Sequence, residues 1–254
     1  MDLGIRGRKA IVCASSRGLG KGCAMALAEA GCSVVVNGRD AAQLARTADE
    51  IRSRFGNEVM EVPGDVSRHE VQAQLFAACP APDILVNNNG GPPRRDFREL
   101  DRARILEGVT QNMVTPIELI QNVLDGMAER GFGRIVNITS LSVYQAIPGL
   151  DLSSAARAGL TSFLSGVARG VAERNVTINN LLPGKLDTDR LRGAFNANVP
   201  ETEQKARLAA DIPARRLGTA EEFGQICAFF CSVHAGYITG RNIPVDGGLY
   251  TAAF

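Results

Sequence analysis

Lys9-Ala10-Ile11-Val12-Cys13-Ala14-Ser15-Ser16-Arg17-Gly18-Leu19-Gly20 is the stretch whose reading decides the fold. A short apolar run ends in small residues and two glycines, and a helical pattern, Leu19–Ala30, begins at once. Such a strand–turn–helix step brings backbone close to an incoming phosphate. The helix N-terminus there offers free N–H groups and the positive end of its dipole. One turn of this kind can also be nothing more than a tight turn, so its weight depends on what surrounds it.

Outward from it the same unit repeats. Further apolar runs lie at Ser33–Asn37, Glu58–Val62, Asp83–Asn87, Arg134–Ile138, Val176–Leu182 and Asn242–Val245. Most are short, rich in Val and Ile and without polar alternation, as in parallel strands buried on both faces. Between them run helical patterns at Ala41–Phe55, Glu70–Ala77, Arg102–Arg130, Ser153–Glu173 and Glu221–Ser232. The alternation predicts an α/β fold: a single Rossmann-type doubly wound domain over 1–254, a seven-stranded parallel sheet with helices on both faces. Gly31 reads as a helix stop, Asp40 and Ser67 as N-caps, and Pro116 as a kink or local break in the long fourth helix. No linker or internal repeat divides the chain.

Composition narrows the function. The 254 residues are 45% hydrophobic and 22% charged, with a formal net charge of +1. That balance suits a globular protein and gives no electrostatic case for nucleic acid. No apolar run approaches the roughly 18 residues of a membrane span, and Met1–Cys13 lacks a signal-peptide pattern, so a cytoplasmic protein is expected. Six cysteines, Cys13, Cys23, Cys32, Cys79, Cys227 and Cys231, form no CxxC pair, and His69 and His234 lie far from them. No metal site is expected, and buried thiols acting as small hydrophobes are.

Several motifs together make the chain resemble the short-chain dehydrogenase/reductase family from Gly7 onward. The glycine turn is one. Asp65-Val66 follows the third strand, Asn87-Asn88-Asn89-Gly90 the fourth, Pro183-Gly184 and Thr188 the sixth, and Asp246-Gly247-Gly248 the seventh. The resemblance implies a nicotinamide cofactor held by Ala14, Ser15, Ser16, Arg17, Gly18, Leu19, Gly20, Asn37, Arg39, Asp65, Val66, Asn88, Asn89, Gly90, Arg157, Pro183, Gly184 and Thr188. Two turn positions depart from the family pattern, with Cys13 and Ala14 in place of Thr and Gly. NAD-specific members carry a carboxylate at the end of the second strand for the ribose 2′-OH. Here that place is Gly38, beside Arg39 and opposite Arg17. A guanidinium pairs with a 2′-phosphate, so NADP(H) is expected over NAD(H), with solvated loop charges as the plain alternative.

The family places its catalytic Ser, Tyr and Lys after the fifth strand, and Asn112 resembles the Asn of its proton relay. Ser140 matches the Ser, but Ser153 stands at the Tyr position and Arg157 at the Lys position. A Ser hydroxyl is a far weaker acid than a phenol, and a guanidinium stays charged. Tyr144, on the loop after Ser140, is the candidate replacement proton donor, with Arg157 close enough to tune it; as the alternative it forms a pocket wall. Asp151 reads as an N-cap before it reads as an acid, and Lys185 as a lid residue, phosphate contact or solvated charge. The segment 187–212 matches the family's mobile substrate lid.

These features imply an oxidoreductase moving a hydride between NADP(H) and a small carbonyl or secondary alcohol, with a non-standard proton donor. Relatives of this look are often 3-oxoacyl-acyl-carrier reductases. A non-redox enzyme on the same fold is one alternative; halohydrin dehalogenases also exchange Lys for Arg, but they keep the Tyr and fill the cofactor loop. A cofactor-binding or regulatory protein of weak activity is the other. The family's habit implies a homodimer or homotetramer, paired through Arg102–Arg130 and Ser153–Glu173.

Overall fold

In the computed structural model, which describes residues 1–252, seven strands form one parallel sheet in the order β3-β2-β1-β4-β5-β6-β7. Residues 253 and 254, the end of the expected 1–254 domain, lie outside the described residues. The strands are β1 Lys9–Val12, β2 Ser33–Gly38, β3 Val59–Pro63, β4 Ile84–Asn87, β5 Gly133–Ile138, β6 Val176–Pro183 and β7 Asn242–Val245. Helices α1 Gly18–Glu29, α2 Ala41–Phe55, α3 His69–Ala78, α4 Arg102–Val109, α5 Thr115–Glu129, α6 Asp151–Val171, α7 Asp189–Arg192, α8 Glu201–Ala210 and α9 Ala220–Cys231 connect or flank them.

The strand pattern explains the layers. Ala10 and Val12 face one core with Val34, Val36, Val86 and Val136, covered by α1, α2 and α9. Ile11 and Cys13 face the other with Val35, Leu85 and Ile135, covered by α3, α5 and α6. Successive side chains point to opposite faces, so continuous apolar runs are needed where both faces are buried. Chain order reverses beside β1, where β1 pairs with both β2 and β4. A crevice opens at such a switch point, beyond the strands' carboxyl ends.

The local break expected near Pro116 is present, and two expected N-caps are corrected. The long fourth helix is broken before Pro116: α4 and α5 are joined by a π-helical turn, Thr110–Val114, and Pro116 sits harmlessly in the first turn of α5. Proline lacks an N–H that the first turn does not use. Ser67 does not cap α3; it donates to Asp65 Oδ1 at 2.7 Å, and α3 starts at His69 after Arg68. Asp151 is the first residue of α6 rather than its cap. Asp40 does cap α2, accepting from the Gln43 N–H at 3.0 Å.

Candidate active site

The glycine turn closes over itself with little room. Gly18 has φ +55, and a Cβ on it would stand 3.8 Å from Thr188 Cγ2, so the turn faces the β6–α7 loop across the crevice. A Cβ on Gly20 would fall 2.4 Å from the Ala14 carbonyl oxygen and 2.8 Å from Asn88 Nδ2. Ala14 itself takes φ +44, a left-handed conformation that suits glycine and strains alanine. The strain is held from two sides. The Ala14 N–H donates to Asn37 Oδ1 at 3.1 Å, and its carbonyl accepts from Asn88 Nδ2 at 3.1 Å.

Asn37 and Ser15 therefore support the loop. The Asn37 amide also donates to the carbonyls of Val62 and Gly64, and the buried Ser15 hydroxyl donates to the Val12 carbonyl at 2.7 Å. Their polar atoms are engaged with protein, so they position a ligand's neighbours more than the ligand. Leu19 lies in the first turn of α1. Val66 lines a cavity with Asn88, and Asp65 beside it is half-buried. Burial alone would raise the Asp65 carboxyl; hydrogen bonds from Ser67 and the charges of Arg39 and Arg68 outweigh it and hold it low.

At the end of β2 the geometry selects against a carboxylate. A Cβ on Gly38 would lie 2.7 Å from Ser16 Oγ and 2.8 Å from Ser16 Cβ. Arg17 is paired with Asp40 at 3.1 Å, both side chains half exposed. Arg39 is exposed and enters none of the ion pairs among the described residues. The corner thus offers Ser16, Arg17 and Arg39 to a ligand group, with Arg39 the uncommitted cation.

The strand ends carry a feature the sequence reading missed. Asn87, Asn137, Asn180 and Asn242 stand in lateral register on β4, β5, β6 and β7. Asn87 donates to Asn137 Oδ1 at 2.9 Å, Asn137 to Asn180 at 2.9 Å and Asn180 to Asn242 at 2.7 Å. All the amides point the same way, and the ladder leaves Asn87 Oδ1 without a partner. That oxygen, Asn112 Oδ1 and Thr115 Oγ1 are buried and unpartnered, and their residues line one small cavity together with Arg157. Recurrent Asn within the last four strands was the available signal. Asn112 sits in the π-helical turn, its amide donating to the Gly108 carbonyl at 3.2 Å. Asn89 ties this turn to the β4 end through the Gln111 carbonyl at 3.1 Å, and its Oδ1 accepts the Gly90 N–H.

Ser153 and Arg157 form a pair one helical turn apart. Arg157 Nε donates to Ser153 Oγ at 3.2 Å and Nη1 to the Ile138 carbonyl at 2.8 Å. Nη2 points toward Gly91, 3.5 Å from where a Cβ there would be. Arg157 is only 8% exposed, and burial, reinforced by Arg190, pulls its pKa down to about 10. It remains a cation at neutral pH. Ser140, on the loop above β5, caps the short turn Leu141–Val143, its Oγ accepting the Ser142 N–H at 3.1 Å. That turn carries Tyr144 over β7. The Tyr144 hydroxyl donates to the Asn242 carbonyl at 3.3 Å and its ring stacks on Tyr250 at 5.0 Å. Tyr144 and Arg157 are therefore engaged with different partners, and the expected tuning contact between them is absent from the structure.

The Pro183-Gly184 step packs against the β7 end, where a Cβ on Gly184 would lie 2.6 Å from Asp246 Cβ. Thr188 caps α7. Lys185 donates to the Leu208 carbonyl and pairs with Asp211 at 3.0 Å, at the C-terminal end of α8. The segment after it is more regular than its composition suggests, with α7 and α8 joined through Asp187, which pairs with both Arg192 and Lys205. Cys13, at the family's Thr position, is fully buried, and burial raises its thiol to about 12. All six cysteines are reduced and buried, and no group of three metal-ligating side chains occurs among the described residues. No helix there is long and apolar enough to cross a membrane.

Comparison with known proteins places these features in context. A family model described as enoyl-(acyl carrier protein) reductase matches residues 13–250. The 3-oxoacyl-[acyl-carrier-protein] reductase of Aquifex aeolicus is 31% identical over 254 residues, covering 98% of this chain and 100% of that protein. The NADPH-dependent reductase BacG of Bacillus subtilis is 31% identical, covering 95% of this chain and 97% of that protein. The L-sorbose reductase of Gluconobacter frateurii, crystallised with NADPH and L-sorbose, superposes with a TM-score of 0.92 at 27% identity, over 99% of this chain and 100% of that one.

Proposed function

The chain belongs to the short-chain dehydrogenase/reductase family and resembles its 3-oxoacyl-acyl-carrier-protein reductases, and on that premise we propose an NADP(H)-dependent oxidoreductase acting on a carbonyl or secondary alcohol with a non-standard proton donor. The observation that carries the cofactor choice is the β2 corner: Gly38 is closed to a carboxylate by Ser16 while Arg39 is free. The NADPH named for BacG and for the sorbose reductase complex supports it. Gly18, Thr188, Asn88 and Gly90 would line the bound cofactor, with Ser16, Arg17 and Arg39 at its 2′ end.

When bound, NADPH supplies the hydride. The chain's own groups hold the substrate oxygen. Ser140 offers a hydroxyl from the loop above β5, and Ser153 a second one whose oxygen already accepts from Arg157 Nε. Arg157 places a fixed positive charge below, where negative charge on the oxygen would develop. Tyr144 is the proposed proton donor, and it must give up a 3.3 Å bond to the Asn242 carbonyl to serve. That bond favours a second version, in which Tyr144 stays in the wall and the proton comes from solvent past Ser153. Assembly as a homodimer or homotetramer and a cytoplasmic location come with the family reading. Exposed Leu106 on α4 and Phe163 on α6 support pairing through those helices.

Titrating NADPH and NADH by cofactor fluorescence, then assaying a panel of carbonyls and alcohols, tests the whole. Failure of both cofactors to bind sinks the oxidoreductase, and binding without turnover leaves a cofactor-binding protein. With a substrate in hand, Tyr144→Phe is expected to lower kcat by about 10²–10⁴-fold if the phenol gives the proton. Unchanged kcat removes Tyr144 from the mechanism.

A further inference from the structure

Arg157, buried, and Arg94 and Arg190, exposed, enter none of the ion pairs found among the described residues. Two of them converge on one point. A Cβ on Gly91 would lie 3.0 Å from Arg190 Nη2 and 3.5 Å from Arg157 Nη2. The Arg190 guanidinium has only two long contacts of 3.4 Å, to the carbonyls of Gly91 and Pro92. Arg157 Nη2 has no hydrogen-bond partner among the described residues, although the rest of the side chain is buried. Arg94 adds its charge to that felt by Arg190, as Arg190 does to Arg157. Cations gathered this closely with no carboxylate opposite repel one another, and the arrangement is relieved when an anion enters.

The neighbouring surface says what the anion is attached to. Next to the pair, a small open pocket is walled mainly by Pro92, Pro93, Leu100, Leu150 and Leu152, with Arg95 and Ser153 also in its lining. Ser153 is the residue that Arg157 holds. A charged end and a short aliphatic slot therefore meet at the side chain expected to touch the reacting oxygen. The charge is set toward Ser153: Arg157 Nε holds that side chain, and Arg190 contacts the carbonyls of Gly91 and Pro92, the latter in the wall of the same pocket.

We propose that Arg157 and Arg190, aided by Arg94, bind the carboxylate of the substrate, which makes the substrate class a small aliphatic oxo acid. The assignment rests on the reductase reading for the word substrate; the anion site itself does not. Arg157 forms the floor and holds the carboxylate's charge against Ser153. Arg190, on the lid segment, closes over it from the rim, so an anionic substrate draws the lid toward the β4 loop. Neutral ketones lack the group that would do this.

The test is calorimetric titration of the full-length protein, with and without saturating NADP⁺, using 2-oxobutanoate, butanoate and butan-2-one. The two carboxylates are expected to bind about tenfold or more tightly than the ketone, as charge-assisted contacts require. Arg190→Gln should remove most of that preference and leave NADPH affinity within about twofold, and Arg94→Gln should reduce the preference by a smaller factor. Equal binding of ketone and carboxylates overturns the proposal. So does an Arg190→Gln protein that keeps the preference, or one that loses NADPH instead. NADPH binding without carboxylate preference leaves the reductase standing and removes the anion site. Carboxylate binding in a protein that takes up neither cofactor does the reverse.

Discussion

Replacing Arg39 by Ala tests the cofactor corner with little risk to the fold, because the side chain is exposed and free of ion pairs among the described residues. A hydrogen bond to a charged group contributes about 1.5–3 kcal/mol. Two unit charges about 4 Å apart interact by about 4 kcal/mol at an effective dielectric constant near 20. Solvent exposure and salt push Arg39 to the low end, about 1.5–2 kcal/mol, or roughly 10–30-fold in Kd. Arg17 should matter less, since Asp40 already holds it at 3.1 Å. The loss is expected for NADPH alone; NADH, without a 2′-phosphate, should change by less than about twofold. Fluorescence titration of both cofactors against wild type and Arg39→Ala gives the comparison, and repeating it at high salt should shrink the difference. Parallel weakening of both cofactors would refute the argument, as would a wild-type preference for NADH. Gly38→Asp offers a check from the other side: its Cβ meets Ser16 Oγ at 2.7 Å, so NADPH is lost and NADH gains little.

Other expectations follow from strain, burial and charge. Ala14→Gly relieves a left-handed alanine at φ +44 and should stabilise the protein by about 1 kcal/mol, a Tm rise of about 2–4 °C by scanning fluorimetry. Arg134 is 1% exposed, donates to the carbonyls of Ser232, Gly133 and Asn175, and shares the Phe132 ring with Arg8. Arg134→Ala strips those carbonyls and leaves a cavity, for an expected loss of about 3–5 kcal/mol in denaturant unfolding. Burial and the charge of Arg190 pull the Arg157 guanidinium down to about 10, well below its usual range, so keeping it charged in the fold costs stability at neutral pH. That cost should shrink as pH rises above about 10, raising the stability of wild type relative to Arg157→Met. Activity supported by the cation should hold through pH 9 and fall above about 10, a fall absent in Arg157→Met.

Much of the architecture was legible because its causes are local. Alternate side chains of β1 face opposite cores, so two buried faces demand an unbroken apolar run, and that run is visible at Ala10–Val12. Asp40 and Gly31 mark helix ends through bonds made within a few residues of themselves. The helix break near Pro116 was legible, but its form was not. Pro116 is the visible breaker, yet the turn that opens is a π-helix at Thr110–Val114, held by Asn89 from the β4 end. Ser67 looked like a cap because its type is right, and Asp65 took its hydroxyl first.

The sequence alone determined the parallel α/β sheet, the glycine turn opening α1, and the two exchanged residues Ser153 and Arg157, since strand period, turn chemistry and spacing are written along the chain. Only the tertiary structure decided what those residues face. It set the Ser153–Arg157 bond over a cavity of unpartnered oxygens, turned Tyr144 toward β7, and joined four asparagines across four strands. It also carried Arg190 to the carbonyl of Gly91, 99 residues away in the chain. Contacts of that span depend on how the strands are ordered and packed, so the charge of the site became visible only once the sheet had placed its loops together.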